Sequence, residues 1–351
     1  MNNDETIKMG HGSGGMMMKR LIDCVFFESF AGESLKTGDD AATLDIEALA
    51  AKKNIHGNHR ISYSTDSFVV TPHFFADGDI GKLAVCGTVN DVSTAGAVPV
   101  ALSVSMILEE GFPLSDLKNI CHTIKKTADE AEVEIVTGDT KVVNRGKCDG
   151  IFINTSGVGV VPDGISLTAR NIKPNQAVIL TGTLGDHGIA IMQERKSLSF
   201  SSPVRSDAAP LNHLVQDVLK AAPHTVCFRD PTRGGLASTL NEFAETSGVS
   251  IEIDETKVPV KPEVKGACDM LGFDVFQVAN EGKFVIIVPE DEAENALLAC
   301  KNNVYGKDAA IIGHTLETTN SQAGPRVLVK TAIGSTRILD MLVGDLLPRI
   351  C

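Results

Sequence analysis

Apolar residues along this chain recur at two spacings, which alternate from segment to segment. Val100, Leu102, Val104, Met106 and Leu108 sit at every second position, the pattern of a strand with one face on a core. Behind Pro113, the residues Leu114, Leu117, Ile120, Cys121, Ile124 and Ala128 step by three or four, the buried stripe of a helix. Leu21, Ile22, Val25, Phe26 and Phe30 predict an earlier helix, and the small residues of Ile80–Thr94 another. Strands are predicted over 61–70, closed by Thr71-Pro72, over 133–136 and over 151–161. The polar stretch Asp45–Arg60 reads as a loop or hairpin edge.

The second half continues in the same way. Strands are predicted over 177–182, 249–253, 284–288, 309–313 and 326–331. Helices are predicted over 211–220, 234–246 (Leu236, Leu240 and Phe243 on one stripe) and 290–301. Interleaved strands and helices make the class mixed α/β or α+β. Pro162-Asp163-Gly164 is a turn signal and divides the chain into an N-terminal domain, 1–165, and a C-terminal domain, 166–340. Residues 341–351 carry Gly and Pro without periodicity and read as a mobile tail.

Composition narrows the classes. Hydrophobic residues are 43% and charged residues 22% of 351, values of a globular protein. Acidic residues outnumber basic ones 45 to 32, the wrong balance for a general phosphate-backbone binder. With no Trp and two Tyr, a base-stacking platform is poorly supplied. No apolar run is long enough to span a membrane, and the first ten residues lack the apolar core of an export signal. Eight cysteines without a C-x-x-C pair fit reduced thiols, and the expected compartment is the cytoplasm.

Neither a P-loop nor a G-x-G-x-x-G dinucleotide turn is present. Aspartates do recur beside small residues, at Asp39 and Asp40, Asp66, Asp91, Asp139 and Asp230. Each reads either as a turn residue or as a carboxylate for Mg²⁺ and phosphate. His11-Gly12-Ser13-Gly14-Gly15 reads as an anion nest or as a flexible linker. Lys141 and Glu281, in small-residue loops, read as an acid/base or charge-stabilising pair or as solvated surface charge. Cys351 closes the chain and reads as a thiol nucleophile on an arm or as a frayed end.

Together HGSGG (11–15), STDS (64–67), IGKLAVCGTVNDV (80–92), VTGDTKVV (136–143), TGTLGDHG (181–188), RDPTRGG (229–235), ANEGK (279–283) and the closing Pro348-Arg349-Ile350-Cys351 resemble the HypE family of hydrogenase maturation proteins, over essentially the whole chain. The wider superfamily includes aminoimidazole ribonucleotide synthetase, selenophosphate synthetase and thiamin-monophosphate kinase. The resemblance implies two α/β domains, with the N-terminal domains of a homodimer pairing into a β-barrel. It implies an ATP-dependent carbamoyl dehydratase, a lyase, working with Mg²⁺. In that family HypF places a carbamoyl group on the last cysteine, the thiocarbamate is dehydrated to thiocyanate, and the cyano group passes to iron on the HypC–HypD complex. It becomes the cyanide ligand of [NiFe] hydrogenase.

By this resemblance Cys351 carries the substrate, and Lys141 and Glu281 activate the amide and remove its protons. Asp39, Asp40, Asp66, Asp91 and Asp230 serve the metal. His11, Gly12, Ser13, Gly14, Gly15, Asp139, Thr140, Arg233 and Asn280 serve the nucleotide. Pro231 and Thr181 depart mildly from the family motifs, with no expected effect on the chemistry. Two other readings remain. One is a small-molecule kinase or selenophosphate synthetase, the latter of which would carry a cysteine or selenocysteine near the Gly-rich loop, whereas the nearest here is Cys24, outside HGSGG. A non-enzymatic scaffold would use the tail only to pass a ligand between partners.

Overall fold

The computed structural model describes residues 6–30, 32, 35, 41–57, 59–196, 203–318, 324–341, 344 and 349–351. Asp39 and Asp40 lie outside them.

The first half is built on a four-stranded sheet of order β1-β6-β4-β5, from β1 (Arg60–Phe68), β4 (Val98–Glu109), β5 (Glu134–Val143) and β6 (Ile151–Val161). A small hairpin, β2 (Phe74–Phe75) and β3 (Gly78–Asp79), leads into helix α3 (Ile80–Thr94). Asp79 caps that helix, its carboxylate accepting from Gly81 N at 2.8 Å and Lys82 N at 2.9 Å, two of the donors a helix start leaves free. Helix α4 (Leu114–Glu130) crosses over between the parallel strands β4 and β5. Its predicted stripe is the buried one, with Leu117, Ile120 and Ile124 at zero exposure. Each such side chain contributes roughly 1.5–3 kcal/mol of burial.

Before the sheet, α1 (Met16–Leu21) runs on as a wider π-turn over Ile22–Phe27 and seats Leu21, Val25 and Phe26 in the core. The stretch expected as a loop or hairpin edge instead contains helix α2 (Ile46–Lys52). Asp45 caps it by accepting from Ala48 N at 3.0 Å, and IEALAAK is made of strong helix formers. Polarity hid a short helix that lays Ala50 and Leu49 on Val100, Val136 and Val160.

The second half holds a seven-stranded sheet of order β13-β12-β9-β11-β7-β10-β8. Its strands are β7 (Gln176–Leu180), β8 (Cys227–Arg229), β9 (Ser250–Asp254), β10 (Val285–Pro289), β11 (Ala310–Leu316), β12 (Val327–Lys330) and β13 (Thr336–Ile338). Helices α6 (Asn212–Ala221) and α9 (Ala293–Asn302) pack with Ile179, Phe284 and Ile286 on one face. Helix α7 (Gly235–Ser247) covers the other with Leu236, Leu240 and Phe243. Helices α5 (Asp186–Lys196) and α8 (Pro262–Leu271) join the halves. Ile189 and Val264 belong to the same core as Phe68, Val70 and Leu83.

Among the described residues, one face of the four-stranded sheet is covered only at one end, where α2 packs over Val136 and Val160. Ile61, Tyr63, Thr65 and Ser67 alternate outward along β1, Tyr63 at 66% exposure, and Ile107 of β4 is exposed beside Lys141 of β5. Strands β1 and β5 are the two edges.

Candidate active site

The expected site residues fall into two groups at opposite edges of the four-stranded sheet. The first surrounds a cavity of about 260 Å³ where the halves meet. Asp66 comes from β1, Asp91 from α3, Asp230 and Arg233 from the loop between β8 and α7, Glu281 from the loop before β10, and Cys351 from the end of the chain.

Asp66 occupies the inward register of β1, opposite buried Thr155. It accepts from Ser67 N at 2.7 Å, and Asp91 accepts from Ser64 Oγ at 2.8 Å. Glu281 is 4% exposed and its Oε1 has no hydrogen-bond partner. Its loop is wedged against Asp207, whose carboxylate accepts from Glu281 N and Gly282 N, both at 3.2 Å. A Cβ on Gly282 would stand 1.7 Å from the Asp207 carbonyl oxygen, so only glycine fits. Lys283 Nζ lies 3.1 Å from Asp207 Oδ2. Burial alone would raise the Asp207 carboxyl, but the Lys283 ammonium beside it holds it below its usual range. Asn280 is fully buried and ties three loops, donating to Pro231 O and Val278 O and accepting from Gly185 N at 2.7 Å.

Four carboxyl groups crowd one another in this cavity, with Arg229 and Arg233 at its wall. Burial, then the charge of Asp91, pushes Asp230 up to about 7. Burial, then Asp230 and Asp207, raises Glu281 well above the carboxylate range. Asp66 and Asp91 are raised too, chiefly by burial, with Arg233 and Arg229 pulling the other way. Burial and the Glu281 charge push the Cys351 thiol up to about 12.

These shifts set a sign for pH dependence. An unfolded chain ionises its carboxyls near pH 4, while folded Asp230 keeps its proton to about pH 7. Across that window the folded chain binds more protons, so the cluster's contribution to stability falls as pH rises. Thermal unfolding at pH 5, 6, 7 and 8 is expected to fall less steeply for Asp230→Asn than for the parent chain. Parallel curves would contradict this.

Cys351 is docked. Its main-chain oxygen accepts from Val69 N at 3.1 Å. Ile350, 2% exposed, inserts into the core, and its carbonyl accepts from His187 Nε2 at 2.8 Å. Arg349 donates to Thr71 Oγ1 at 2.8 Å and Val69 O at 3.3 Å and pairs with Asp149, while Arg195 donates to Arg349 O. Most of the expected tail, 342–343 and 345–348, lies outside the described residues.

The second group lines the β5 edge. Lys141 and Asp139 project onto the open sheet face, opposite Ile107 and Ser105, with Lys141 Nζ 2.6 Å and 2.7 Å from the Asp139 oxygens. Thr140 points inward. A 3₁₀ turn over Met9–Gly12 carries His11, which is buried and accepts from Lys8 N at 2.9 Å. Gly12 packs against Val142, whose N would be 2.8 Å from a Cβ there. Ser13 Oγ donates to Met9 O at 3.0 Å, and Gly15 precedes α1. Beside this group lies an apolar cavity of about 450 Å³, lined by Met18, Phe26, Phe30, Met106, Ile135 and Asp139. Within one copy Lys141 does not meet Glu281 or Cys351.

Sequence reasoning gave no role to His187, Arg195, Asp207 or Lys283, all of which hold the tail or the Glu281 loop. A signal was present for two of them, since His187 lies in TGTLGDHG and Lys283 in ANEGK.

Comparisons with known proteins agree with this architecture. Residues 38–161 match the N-terminal domain, and residues 173–324 the C-terminal domain, of AIR synthase related proteins. The chain is 47% identical over 348 residues to carbamoyl dehydratase HypE of Rhodobacter capsulatus, covering 99% of each. It is 43% identical over 351 residues to that of Escherichia coli K12, covering all of both. Among solved structures, a HypE in complex with ATP superposes with a TM-score of 0.90 at 42% identity, over 98% of this chain and 99% of that one. A HypE–HypF complex matches with a TM-score of 0.78 at 46% identity, over 92% and 99%. Thiamine monophosphate kinase of Aquifex aeolicus, 18% identical with a TM-score of 0.59 over 85% of this chain and 97% of that one, shares the fold.

Proposed function

The chain belongs to the HypE family of carbamoyl dehydratases, within the AIR synthase related proteins, and from that premise we propose that it dehydrates a carbamoyl group on Cys351 to thiocyanate at the expense of ATP. The observation that carries this reading is the seating of Cys351 in one cavity with Asp66, Asp91, Asp230 and buried Glu281. A thiol in that position brings its own substituent into a pocket lined by carboxyl groups, so proximity comes with the docking.

An amide oxygen is a poor leaving group. Transfer of the γ-phosphoryl group of ATP to the carbamoyl oxygen releases ADP and turns that oxygen into part of a phosphate. Expulsion of the phosphate, with loss of both N–H protons, leaves S–C≡N. Glu281 is the group suited to take a proton there, because its Oε1 has no partner in the cavity. Among the described residues no three metal-ligating side chains form a group able to hold a metal, and Mg²⁺ commonly binds through one or two carboxylates and substrate phosphates. Two of Asp66, Asp91 and Asp230 would hold it so, and it would neutralise charge on the phosphates. Arg233 is placed to face the same charge.

Lys141 enters this scheme through a second copy. The open sheet face, with exposed Ile61, Tyr63 and Ile107 and two unpaired edges, suits pairing of two N-terminal domains into a barrel. Lys141, Asp139 and the 11–15 turn stand on or beside that face. The adjoining apolar cavity suits the adenine base. HypF is the proposed carbamoyl donor, the HypC–HypD complex the cyanide acceptor, and the cytoplasm the site of action.

Intact-mass measurement tests the reading. With HypF, a carbamoyl donor and ATP, the chain is expected to gain the mass of a carbamoyl group and then lose that of one water. A gain with no later loss, or a loss that needs no ATP, would sink the proposal.

A further inference from the structure

Among the described contacts that hold the end of the chain, the side-chain hydrogen bond from His187 lies in the core. Arg349, Arg195 and Asp149 act at the rim, where exposed ion pairs contribute little. His187 is fully buried, as is Ile350. A carbonyl can only accept, so the imidazole donates to it through Nε2–H. Burial, against the charge of Asp207, keeps the ring neutral, and Nδ1 is then an acceptor. Ser206 Oγ stands 2.8 Å from Nδ1 and itself accepts from Ala208 N at 3.2 Å. The relay therefore runs one way, from Ala208 N–H to Ser206 Oγ–H to His187 to the Ile350 carbonyl, and aligned bonds of this kind reinforce one another. Phe75 closes the ring's flank edge-on, with centroids 5.5 Å apart and planes at 88°.

With its tautomer set and its face covered, His187 Nε2–H points to one acceptor, and that acceptor is on the tail. When the tail leaves, a buried donor loses its partner, a larger loss than an exposed contact. We propose that His187, oriented by Ser206, is the positioning residue that seats Cys351 in the acidic cavity. This rests on the proposed role of Cys351 as substrate carrier and adds what holds it there.

Alkylation of the full chain by iodoacetamide, followed site by site by mass spectrometry, tests this without ATP, HypF or any turnover. His187→Ala is expected to raise the alkylation rate of Cys351 about tenfold, the effect of one lost buried hydrogen bond. The rates at the partly buried Cys24 and Cys148 should not move. His187→Gln, whose amide N–H₂ replaces Nε2–H, should restore most of the protection, and Ser206→Ala should raise the rate a few-fold. An unchanged rate at Cys351, a parallel rise at Cys24 and Cys148, or a Gln variant as reactive as the Ala variant would overturn the proposal. Because no chemistry on the carbamoyl group is read, a chain that failed to dehydrate would still report on the clamp.

Discussion

Cys351→Ala is expected to bind ATP as the parent chain does and to form no thiocyanate at all. The substitution removes one sulfur atom and little else. The anchors of the chain end are the Cys351 main-chain oxygen on Val69 N, the Ile350 carbonyl on His187, and the Arg349 side chain on Thr71, Val69 and Asp149. None uses the thiol, so the tail should still dock. Loss of the carbamoyl mass increment with retained nucleotide binding by calorimetry is the expected pair of results. A variant that still gained and dehydrated a carbamoyl group would move the carrier to another residue, and with it the meaning of the cavity.

Glu281→Gln is expected to slow dehydration by about 10²- to 10⁴-fold, the usual range for removing a general acid or base. The fold should be spared, because the Asp207 carboxylate binds the main-chain N–H groups of Glu281 and Gly282 rather than the side chain. Gln also removes one member of a crowded set of carboxyl groups, so the melting temperature at neutral pH should not fall. The pH profile gives the sharper test. Burial and neighbouring carboxylates hold the Glu281 proton well above the usual range. A base must first lose that proton, so the parent rate should climb with pH, while the Gln variant should lack that limb. Single-turnover decay of the carbamoylated species reads both effects, and a variant with the parent rate would remove Glu281 from the chemistry.

Much of this fold was legible in spacing. The alternation of Val100 to Leu108 and the stripe of α4 each have one buried face, and one-sided burial is what periodicity reports. Helix α5 was not foreseen because residues Asp186 to Gln193 are buried on every side, polar Asp186, His187 and Gln193 among them, and a helix surrounded on every side shows no stripe. Helix α2 failed for the opposite reason, being short and polar with a narrow apolar contact. At the site, Asp66, Asp91, Asp230, Glu281 and Cys351 were all named, and they do converge. Their convergence was not readable from order along the chain, since it depends on α3, the β8–α7 loop and the tail meeting between two domains. Lys141 and Glu281, named as a pair, are separated by the width of a sheet.

The exposed part of the sheet face, along Ile61, Tyr63 and Ile107, has a thermodynamic consequence. If a second copy covers it, as proposed, part of the apolar surface that stabilises each N-terminal domain belongs to the pair rather than to the chain. The folding free energy then contains a mass-action term, and dilution alone weakens the fold by favouring the separated chains. Separated chains would show Ile61, Tyr63 and two unpaired strand edges to any neighbour, a template for pairing in the wrong register. Abundance in solution would in that case be a condition of staying folded as well as of forming the active site.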